Sequence, residues 1–201
     1  MKEELLYFFY GRAEYRGLDL KASDLEAERP MCFVLGEIDA GSILSTFPFD
    51  TGAFQIEGGI KENFFPHIED VFALSMGGEI TDCQKLVQCF YGNNDKFRNN
   101  DPEKLDFDPF LELEVGSYIQ LINKRGIDTL DGRSSTPEIV ALENISLDEV
   151  EYVIVHIEND SSPFFKQKCK EHRIEPIYFH TKTPLRPGEY ISVIQDRFDS
   201  L

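Results

Sequence analysis

The chain has 201 residues, 41% of them hydrophobic and 12% aromatic, a composition typical of one globular domain that needs neither disulfides nor a metal for stability. Its 37 acidic residues outnumber the 20 basic ones, and the net charge of −17 excludes general binding to nucleic-acid backbones and disfavours anionic membrane surfaces. The same charge is compatible with a basic protein partner.

The four cysteines are scattered and form no C-x-x-C pair, which predicts reduced, buried thiols and no zinc site. They are Cys32, Cys83, Cys89 and Cys169. The N-terminal residues lack both the basic segment and the long apolar run of a signal peptide or a membrane span. We therefore expect a cytoplasmic protein without a bound metal.

Apolar runs and turn residues outline the N-terminal half of the chain. Residues 5–10 and 31–35 predict two strands, the first of them buried. Residues 66–76 and 81–91 carry apolar side chains at helical spacing, which predicts two helices. Thr81 is the expected N-cap of the second helix.

The C-terminal half begins with the polar residues 92–108, which predict a long surface loop. Residues 110–124 favour a helix, although their first half alternates like a strand. Strands are then predicted at 137–142, 151–157 and 174–179. Helices are predicted up to residue 172, capped by the sequence Ser161-Ser162-Pro163 with the proline at the first helical position, and at 187–198. This succession of strand, helix, strand and helix predicts a right-handed parallel crossover.

Together these elements predict an α+β fold, with a mixed sheet and a C-terminal parallel β-α-β-α unit, in a single compact domain of residues 1–201. An alternative organisation has an N-terminal lobe of residues 1–92 and a C-terminal lobe of residues 108–201, joined by the polar loop 93–107.

Residues 45–54, with the sequence Ser-Thr-Phe-Pro-Phe-Asp-Thr-Gly-Ala-Phe, crowd small hydroxyls, a carboxylate and three aromatic rings between regular elements. Pro48 restricts the backbone before it, and Asp50 and Gly52 are turn formers. We expect a rigid loop that holds a small polar ligand. Its walls would be Phe47, Phe49 and Phe54, and its floor Ser45, Thr46, Asp50 and Thr51. The alternative is a tight, well-packed turn.

Tyr10, Gly11 and Arg12 follow the first predicted strand. The glycine lets the backbone turn, so the arginine projects from the strand end, where its planar array of donors suits a phosphate or pyrophosphate. The alternative is an ion pair between Arg12 and one of the many surface carboxylates.

Glu112 and Glu114 stand two residues apart. On a strand they share a face, where each carboxylate raises the pKa of the other and one can act as a general base or stabilise a developing cation. On a helix they lie on opposite faces. The alternative is an exposed pair on an acidic surface.

A second donor-rich loop, Asp-Gly-Arg-Ser-Ser-Thr-Pro-Glu, spans residues 131–138. Gly132 permits a tight turn, and Arg133 with three neighbouring hydroxyls suits a phosphate or carboxylate ligand. The alternative is a turn whose Ser and Thr side chains cap its own backbone.

The order of these pieces resembles that of the arginine–serine–glutamate class of ADP-ribosyltransferases. In this resemblance Arg12 matches the strand-end arginine that holds the phosphates of NAD. Ser45 and Thr46 match the hydroxyl strand that braces the nicotinamide site, with Phe47 in place of its last hydroxyl. Glu114 matches the catalytic member of the Glu-x-Glu pair.

The resemblance implies NAD as the substrate and an activity of ADP-ribosyltransferase or NAD glycohydrolase type. Glu114 would hydrogen-bond the nicotinamide ribose and stabilise an oxocarbenium-like transition state, with Arg12 as the second catalytic residue. The implied substrate-binding residues are Tyr10, Ser45, Thr46, Asp50, Thr51 and Arg133. Free-standing transferases of this size are often bacterial toxins or defence effectors, so the resemblance implies such a role here.

Two other functions fit the sequence. The net charge of −17 suits a non-catalytic inhibitor or antitoxin-like protein that binds a basic partner. Asp50, Asp131 and Glu138 would suit a phosphodiesterase-like hydrolase if separate loops gather them around a divalent ion. The expected partner is thus a small nucleotide or a basic protein.

Overall fold

The structure is a computed structural model and describes residues 5–14, 29–54, 60, 68, 70–108, 110–123, 132–142, 145–181, 185 and 187–201. In chain order its strands and helices are β1 (Leu5–Phe9), β2 (Cys32–Leu35), β3 (Ile43–Phe47), α1 (Thr51–Phe54), α2 (Ile80–Tyr91), α3 (Asn94–Arg98), α4 (Leu113–Asn123), β4 (Glu138–Leu142), β5 (Val150–His156), α5 (Pro163–His172), β6 (Glu175–Phe179) and α6 (Pro187–Phe198). Short 3-10 helices occupy Ala40–Ser42, Val71–Leu74, Leu147–Glu149 and Ile157–Ser161. The fold is α+β, as the sequence predicts.

Backbone contacts divide the chain into two compact units. The first unit comprises Met1–Arg12 and Ala40–Glu143, and the second comprises Ala13–Asp39 and Asn144–Leu201. The polar segment 93–107 therefore lies inside the first unit.

The sheet of the first unit has the strand order β1-β4-β3, with both pairs antiparallel. The central strand β4 is buried at Glu138–Ala141, as expected for a strand with partners on both sides. The prediction that β1 is buried was wrong, because β1 pairs with β4 alone among the described strands and leaves Leu5 and Tyr7 exposed. Phe9 of β1 and Phe47 of β3 both lie opposite Glu138, which places that carboxylate in the middle of the sheet.

The helices of the first unit agree in part with the sequence. Helix α4 confirms the helix predicted over residues 110–124. Helix α2 begins one residue earlier than predicted, because Glu79 is its N-cap and exchanges capping bonds with Asp82, so Thr81 lies within the helix. The predicted loop 92–108 contains α3, which Asn93 caps and whose Phe97 is buried. Of the helix predicted over 66–76, Val71–Leu74 forms a 3-10 turn, and residues 66, 67 and 69 lie outside the described residues.

The aromatic residues expected as pocket walls belong to the core of the first unit. Phe47, Phe49 and Phe54 are 1%, 0% and 0% exposed, and the last two stack with their ring centroids 5.8 Å apart. Tyr118 of α4 donates a hydrogen bond to the carbonyl of Pro48 at 3.2 Å. For these three rings the structure corresponds to the tight, well-packed turn.

The second unit contains the predicted parallel β-α-β-α arrangement. β5 pairs antiparallel with β2 and parallel with β6, which makes the sheet mixed, and α5 forms the crossover. Ser162 caps α5 by accepting from the Phe165 N–H at 3.3 Å. Tyr190 and Ile194 of α6 are buried with Ile154 and Phe179 of the sheet. Local capping signals and apolar periodicity were therefore sufficient to predict the β5-α5-β6-α6 part of this unit, whereas the pairing of β2 with β5 was not predicted.

Two general features follow from the described residues. None of the described helices has the length and apolar character needed to cross a membrane. The four cysteines are free thiols, of which Cys83 and Cys169 are buried, Cys32 is partly buried and Cys89 is exposed.

Candidate functional site

The candidate site is built around the segment 132–138, which leads into the central strand β4. Its first residues form a turn held by its own side chains: the Ser135 N–H and the Thr136 hydroxyl each donate to the Gly132 carbonyl at 2.9 Å. Ser135 and Thr136 are 1% and 0% exposed. The self-capping turn proposed from the sequence is present, and it presents the Ser135 hydroxyl to the interior.

Arg12 reaches this segment from the end of β1. The Tyr10 N–H donates to the Pro137 carbonyl at 2.9 Å, so the two segments run together. Gly11 then turns with a φ of +67°, and a Cβ at this position would lie 3.1 Å from the Phe97 ring, so glycine is required. The turn directs Arg12 inward, where it is 5% exposed and donates from Nη1 to Ser135 Oγ at 2.9 Å.

The guanidinium of Arg12 is otherwise held by aromatic rings. Its Cζ lies 4.0 Å from the ring centroid of Phe97 and 5.6 Å from that of Tyr91. Its Nε and Nη2 are buried and have no hydrogen-bond partner within the part of the chain that the structure describes. No described carboxylate forms an ion pair with Arg12, so the surface ion pair considered from the sequence is not made within the described residues.

Burying the Arg12 guanidinium without these partners lowers the stability of the protein when no ligand is bound. A buried cation is normally paired with a carboxylate, and an unsatisfied buried donor loses its hydrogen bonds to water without replacement. The Tyr91 hydroxyl is a third buried polar group without a hydrogen bond of good geometry. Burial raises the pKa of Tyr91, while the nearby Arg12 lowers it in part, so the phenol stays protonated and can donate. These donors together suit an anion.

Glu138 is the buried carboxylate of the site. It is 3% exposed, and its Oε2 accepts from both the N–H and the hydroxyl of Thr51, at 3.1 and 2.5 Å. Burial raises the pKa of Glu138 from 4.5 to about 6, the bonds from Thr51 lower it, and the negative charge of Asp50 raises it. A carboxyl group with this pKa is able to exchange a proton near neutral pH.

Asp50 and Arg133 fix the position of the chain around Glu138. The Asp50 Oδ1 accepts from the Ala53 N–H at 3.1 Å and thereby caps α1, and its Oδ2 lies 3.9 Å from Arg133 Nη1. The Asp50 N–H also donates to the Arg133 carbonyl at 3.0 Å. Asp50 and Thr51 are therefore tied to the two ends of the 132–138 segment.

The structure thus brings five of the eight residues predicted for the site to this segment. These are Tyr10, Arg12, Asp50, Thr51 and Arg133. Ser45 instead exchanges a hydrogen bond with Ser75, between their Oγ atoms at 2.6 Å, and the buried Thr46 donates to the Gly77 carbonyl at 3.3 Å.

Glu114 lies apart from these contacts. It is exposed in the first turn of α4, and no described hydrogen bond or ion pair joins it to Arg12 or to residues 132–138. Glu112 precedes the helix and accepts from the Asp108 N–H at 2.8 Å. The two glutamates are both exposed, which corresponds to the alternative considered for them.

From the sequence, Glu138 is expected only as a metal ligand, and Ser135 and Tyr91 are not identified individually as site residues. A signal for Glu138 was present, since a carboxylate opens the otherwise apolar strand Glu-Ile-Val-Ala-Leu directly after the hydroxyl-rich turn. Nothing local distinguishes Tyr91 from the other aromatic residues of α2.

The proposed metal ligands are described in part. Glu138 accepts a hydrogen bond from the Thr51 N–H, and Asp50 accepts one from the Ala53 N–H. Asp131 lies outside the described residues. Within the part of the chain that the structure describes, no three His, Cys, Asp or Glu residues are grouped to hold a metal ion.

No protein-family model, no curated protein and no solved structure matches this chain. The resemblance to ADP-ribosyltransferases therefore stays a prediction that rests on the residues of this chain.

Proposed function

We propose that the protein is an enzyme that consumes NAD, of ADP-ribosyltransferase or NAD glycohydrolase type, with its site around residues 132–138. One observation carries the proposal: this short segment contacts the buried guanidinium of Arg12, two of whose nitrogens have no hydrogen-bond partner among the described residues, and it ends at the buried carboxyl group of Glu138, whose pKa is raised.

The role of Arg12 in this proposal is to bind the pyrophosphate of NAD. Its Nε and Nη2, which have no hydrogen-bond partner among the described residues, and the neighbouring Tyr91 hydroxyl offer three donors, and a guanidinium binds phosphate oxygens in a bidentate manner. Phosphate would supply the negative charge that the described residues around Arg12 lack. The aromatic faces of Phe97 and Tyr91 would keep the guanidinium in place.

Glu138 would take the role that the resemblance implies for Glu114. In its ionised form it would stabilise the positive charge that develops on the ribose as the bond to nicotinamide breaks. In its protonated form it would donate to the ribose hydroxyls. A pKa of about 6 makes both forms accessible near neutral pH. Thr51 would orient the carboxyl group, since it donates to Oε2 twice.

The biological setting is proposed with the activity. An enzyme that depletes NAD or modifies a protein target is suited to act as a toxin or a defence effector in the cytoplasm.

The test is to incubate the purified protein with NAD and cell extract and to measure nicotinamide release and label transfer to protein. Glu138→Gln keeps the size and the acceptor for Thr51, and we expect it to lower turnover by about 10²-fold or more. Glu114→Gln is the matched control and should behave like the wild type. Loss of activity in Glu114→Gln alone would instead support the assignment made from the sequence. No consumption of NAD by the wild type would overturn the proposal.

A second candidate function is the metal-dependent hydrolase, favoured by the closeness of two carboxylates: Glu138 accepts from Thr51, Asp50 accepts from Ala53, and the charge of Asp50 raises the pKa of Glu138. Hard divalent ions prefer several such oxygen ligands. A rise in melting temperature on addition of Mg²⁺ or Mn²⁺, lost in Asp50→Asn, would support the hydrolase over the NAD enzyme.

A further inference from the structure

Residues 108 and 110–112, here called the acidic turn, form a locally ordered turn at the surface of the first unit. The Asp108 N–H donates to Glu112 Oε2 at 2.8 Å, and the Asp108 Oδ1 accepts from the Phe110 N–H at 2.8 Å. The Glu112 N–H donates a hydrogen bond to the Asp108 carbonyl at 2.9 Å. These reciprocal bonds give the turn a defined shape without help from the core.

The acidic turn holds two large apolar side chains in water. Phe110 is 86% exposed and Leu111 is 81% exposed. Exposing such side chains forgoes the stabilisation that burying them would bring. An ordered turn that places a phenylalanine and a leucine side by side in solvent is typical of a binding element.

Negative charge surrounds these two side chains. Acidic residues stand at 106, 108, 112 and 114, and there is no basic residue between 105 and 114. Asp106 and Glu114 are exposed and form no ion pair with a described residue. The partner of the turn must therefore offer an apolar cavity with a basic rim.

The second unit contains a cavity of this kind, here called the basic groove. It has a volume of about 480 Å³ and lies where α5 meets β6. Phe165, Cys169, Ile174, Pro176 and Tyr178 provide its apolar lining. Lys166, Lys170 and Arg173 stand at its edge, with Glu175 as the one acid among the lining residues that the structure describes.

Two cations of the groove are available for an incoming partner. Lys166 pairs with Asp160 at 3.2 Å, but Lys170 and Arg173 form no ion pair with a described residue. Two neighbouring cations without an ion pair to a described residue stand out on a chain with a net charge of −17. They mark the place where another negatively charged molecule can approach in spite of general repulsion.

We propose that the partner is a second copy of this chain, with Phe110 and Leu111 of one copy inserted in the basic groove of the next. Asp106 and Glu114 would face Lys170 and Arg173. Such an interface is head-to-tail, so it either closes into a ring or continues into a chain of copies. The proposal is independent of the activity assigned to the first unit.

The experiment is sedimentation velocity or light scattering over a wide range of protein concentration. The wild type should associate, and the association should weaken at high salt because its charges are screened. Phe110→Ser with Leu111→Ser removes the inserted side chains, and Lys170→Glu with Arg173→Glu reverses the charge of the groove. Each double variant alone should be a monomer or associate about tenfold more weakly or worse.

Mixing the two double variants provides the sharper readout. The first keeps an intact groove and the second keeps an intact turn, so one productive interface remains, and the mixture should form a 1:1 complex that grows no further. Phe164→Ser is the control, because Phe164 is 69% exposed on α5 but does not line the groove. It should associate like the wild type. Circular dichroism checks that each variant is folded. A wild type that stays monomeric at low salt, or a mixture that does not combine, would overturn the proposal.

Discussion

Arg12 donates a hydrogen bond to Ser135, at 2.9 Å, while its Nε and Nη2 are buried and find no partner among the described residues. A protein selected only for stability would pair or replace such a guanidinium. The buried guanidinium of Arg12 therefore affects both the stability of the first unit and its capacity for binding an anion. Removing the guanidinium is expected to preserve or raise stability and to abolish activity.

Arg12→Met tests this coupling. Methionine retains an apolar stem against Phe97 and removes the buried charge, so the free energy of unfolding should stay the same or rise by about 1–3 kcal/mol. NAD consumption should be lost. Urea denaturation and nicotinamide release measure the two effects. Ser135→Ala leaves a third nitrogen of Arg12 unpartnered and should destabilise the protein. A strongly destabilised Arg12→Met would show that the guanidinium serves the fold.

Glu138 should make stability depend on pH in a defined direction. Because its pKa is raised to about 6 in the folded protein from 4.5, the folded state favours the protonated carboxyl, and ionisation costs stability. The cost is absent below 4.5 and fully present above 6, where it amounts to about 2 kcal/mol.

Chemical denaturation across this pH range measures the cost. Glu138→Gln does not ionise, so its stability relative to the wild type should increase as pH rises through the window. A constant difference between the two proteins would mean that the pKa of Glu138 is not raised.

Thr51 and Asp50 should shift the pKa of Glu138 in opposite directions. Thr51→Val removes the hydroxyl that donates to the Glu138 carboxylate, so the pKa should rise and stability should fall by about 1 kcal/mol. Asp50→Asn removes a negative charge that raises the pKa, so the pKa should fall. The acid side of the pH profile of kcat/KM should move up in the first variant and down in the second. If the pH profiles of the two variants moved in the same direction, the effects assigned to Thr51 and Asp50 on the pKa of Glu138 would be wrong.

Phe49→Ala distinguishes a core residue from a pocket wall. Phe49 is completely buried and stacks on Phe54, so its truncation should cost about 3–5 kcal/mol. Phe164→Ala, at a position that is 69% exposed, is the control and should change stability by less than about 0.5 kcal/mol. A mild effect of Phe49→Ala, together with weaker NAD binding, would restore the pocket interpretation.

The thiols should differ in reactivity toward an aromatic disulfide reagent. Cys89 is exposed, whereas burial raises the pKa of Cys32 to about 11 and that of Cys83 to about 12 and also raises that of Cys169. Only the thiolate reacts, so one thiol should react fast at mildly alkaline pH and three slowly. Cys89→Ser should remove the fast phase. Two or more fast thiols in the wild type would contradict this burial pattern.

The second unit could be predicted well because its signals are local. Ser162 and Pro163 mark the beginning of α5, and the apolar spacing of residues 187–198 defines α6. The first unit was harder. Whether β1 lies at an edge or in the centre depends on which strands pair with it, and α3 has too few residues for a helical period to stand out from a polar loop.

The candidate site divides in the same way. Gly11 and Arg12 were identifiable because a turn-permitting glycine and a multidentate cation follow an apolar run, which is chemistry readable within three residues. The carboxylate of the site could not be identified in this way from neighbouring residues. Glu114 was favoured by its spacing from Glu112, but both side chains are exposed. The strand order β1-β4-β3 instead places Glu138 between β1, which leads to Arg12, and β3, which leads to Thr51.

By itself, then, the sequence determined the α+β class, the C-terminal parallel unit, the acidic charge and the residue types able to bind an anion. These depend on composition and on neighbours along the chain. Only the tertiary structure decided that Arg12 is buried without a carboxylate partner among the described residues and that Glu138 lies buried opposite Phe9 in the sheet. Both facts arise from antiparallel pairing of segments more than a hundred residues apart, as with Arg12 and Ser135, which are separated by 123 positions. Such pairing is set by the burial of whole strands, and no local pattern encodes it.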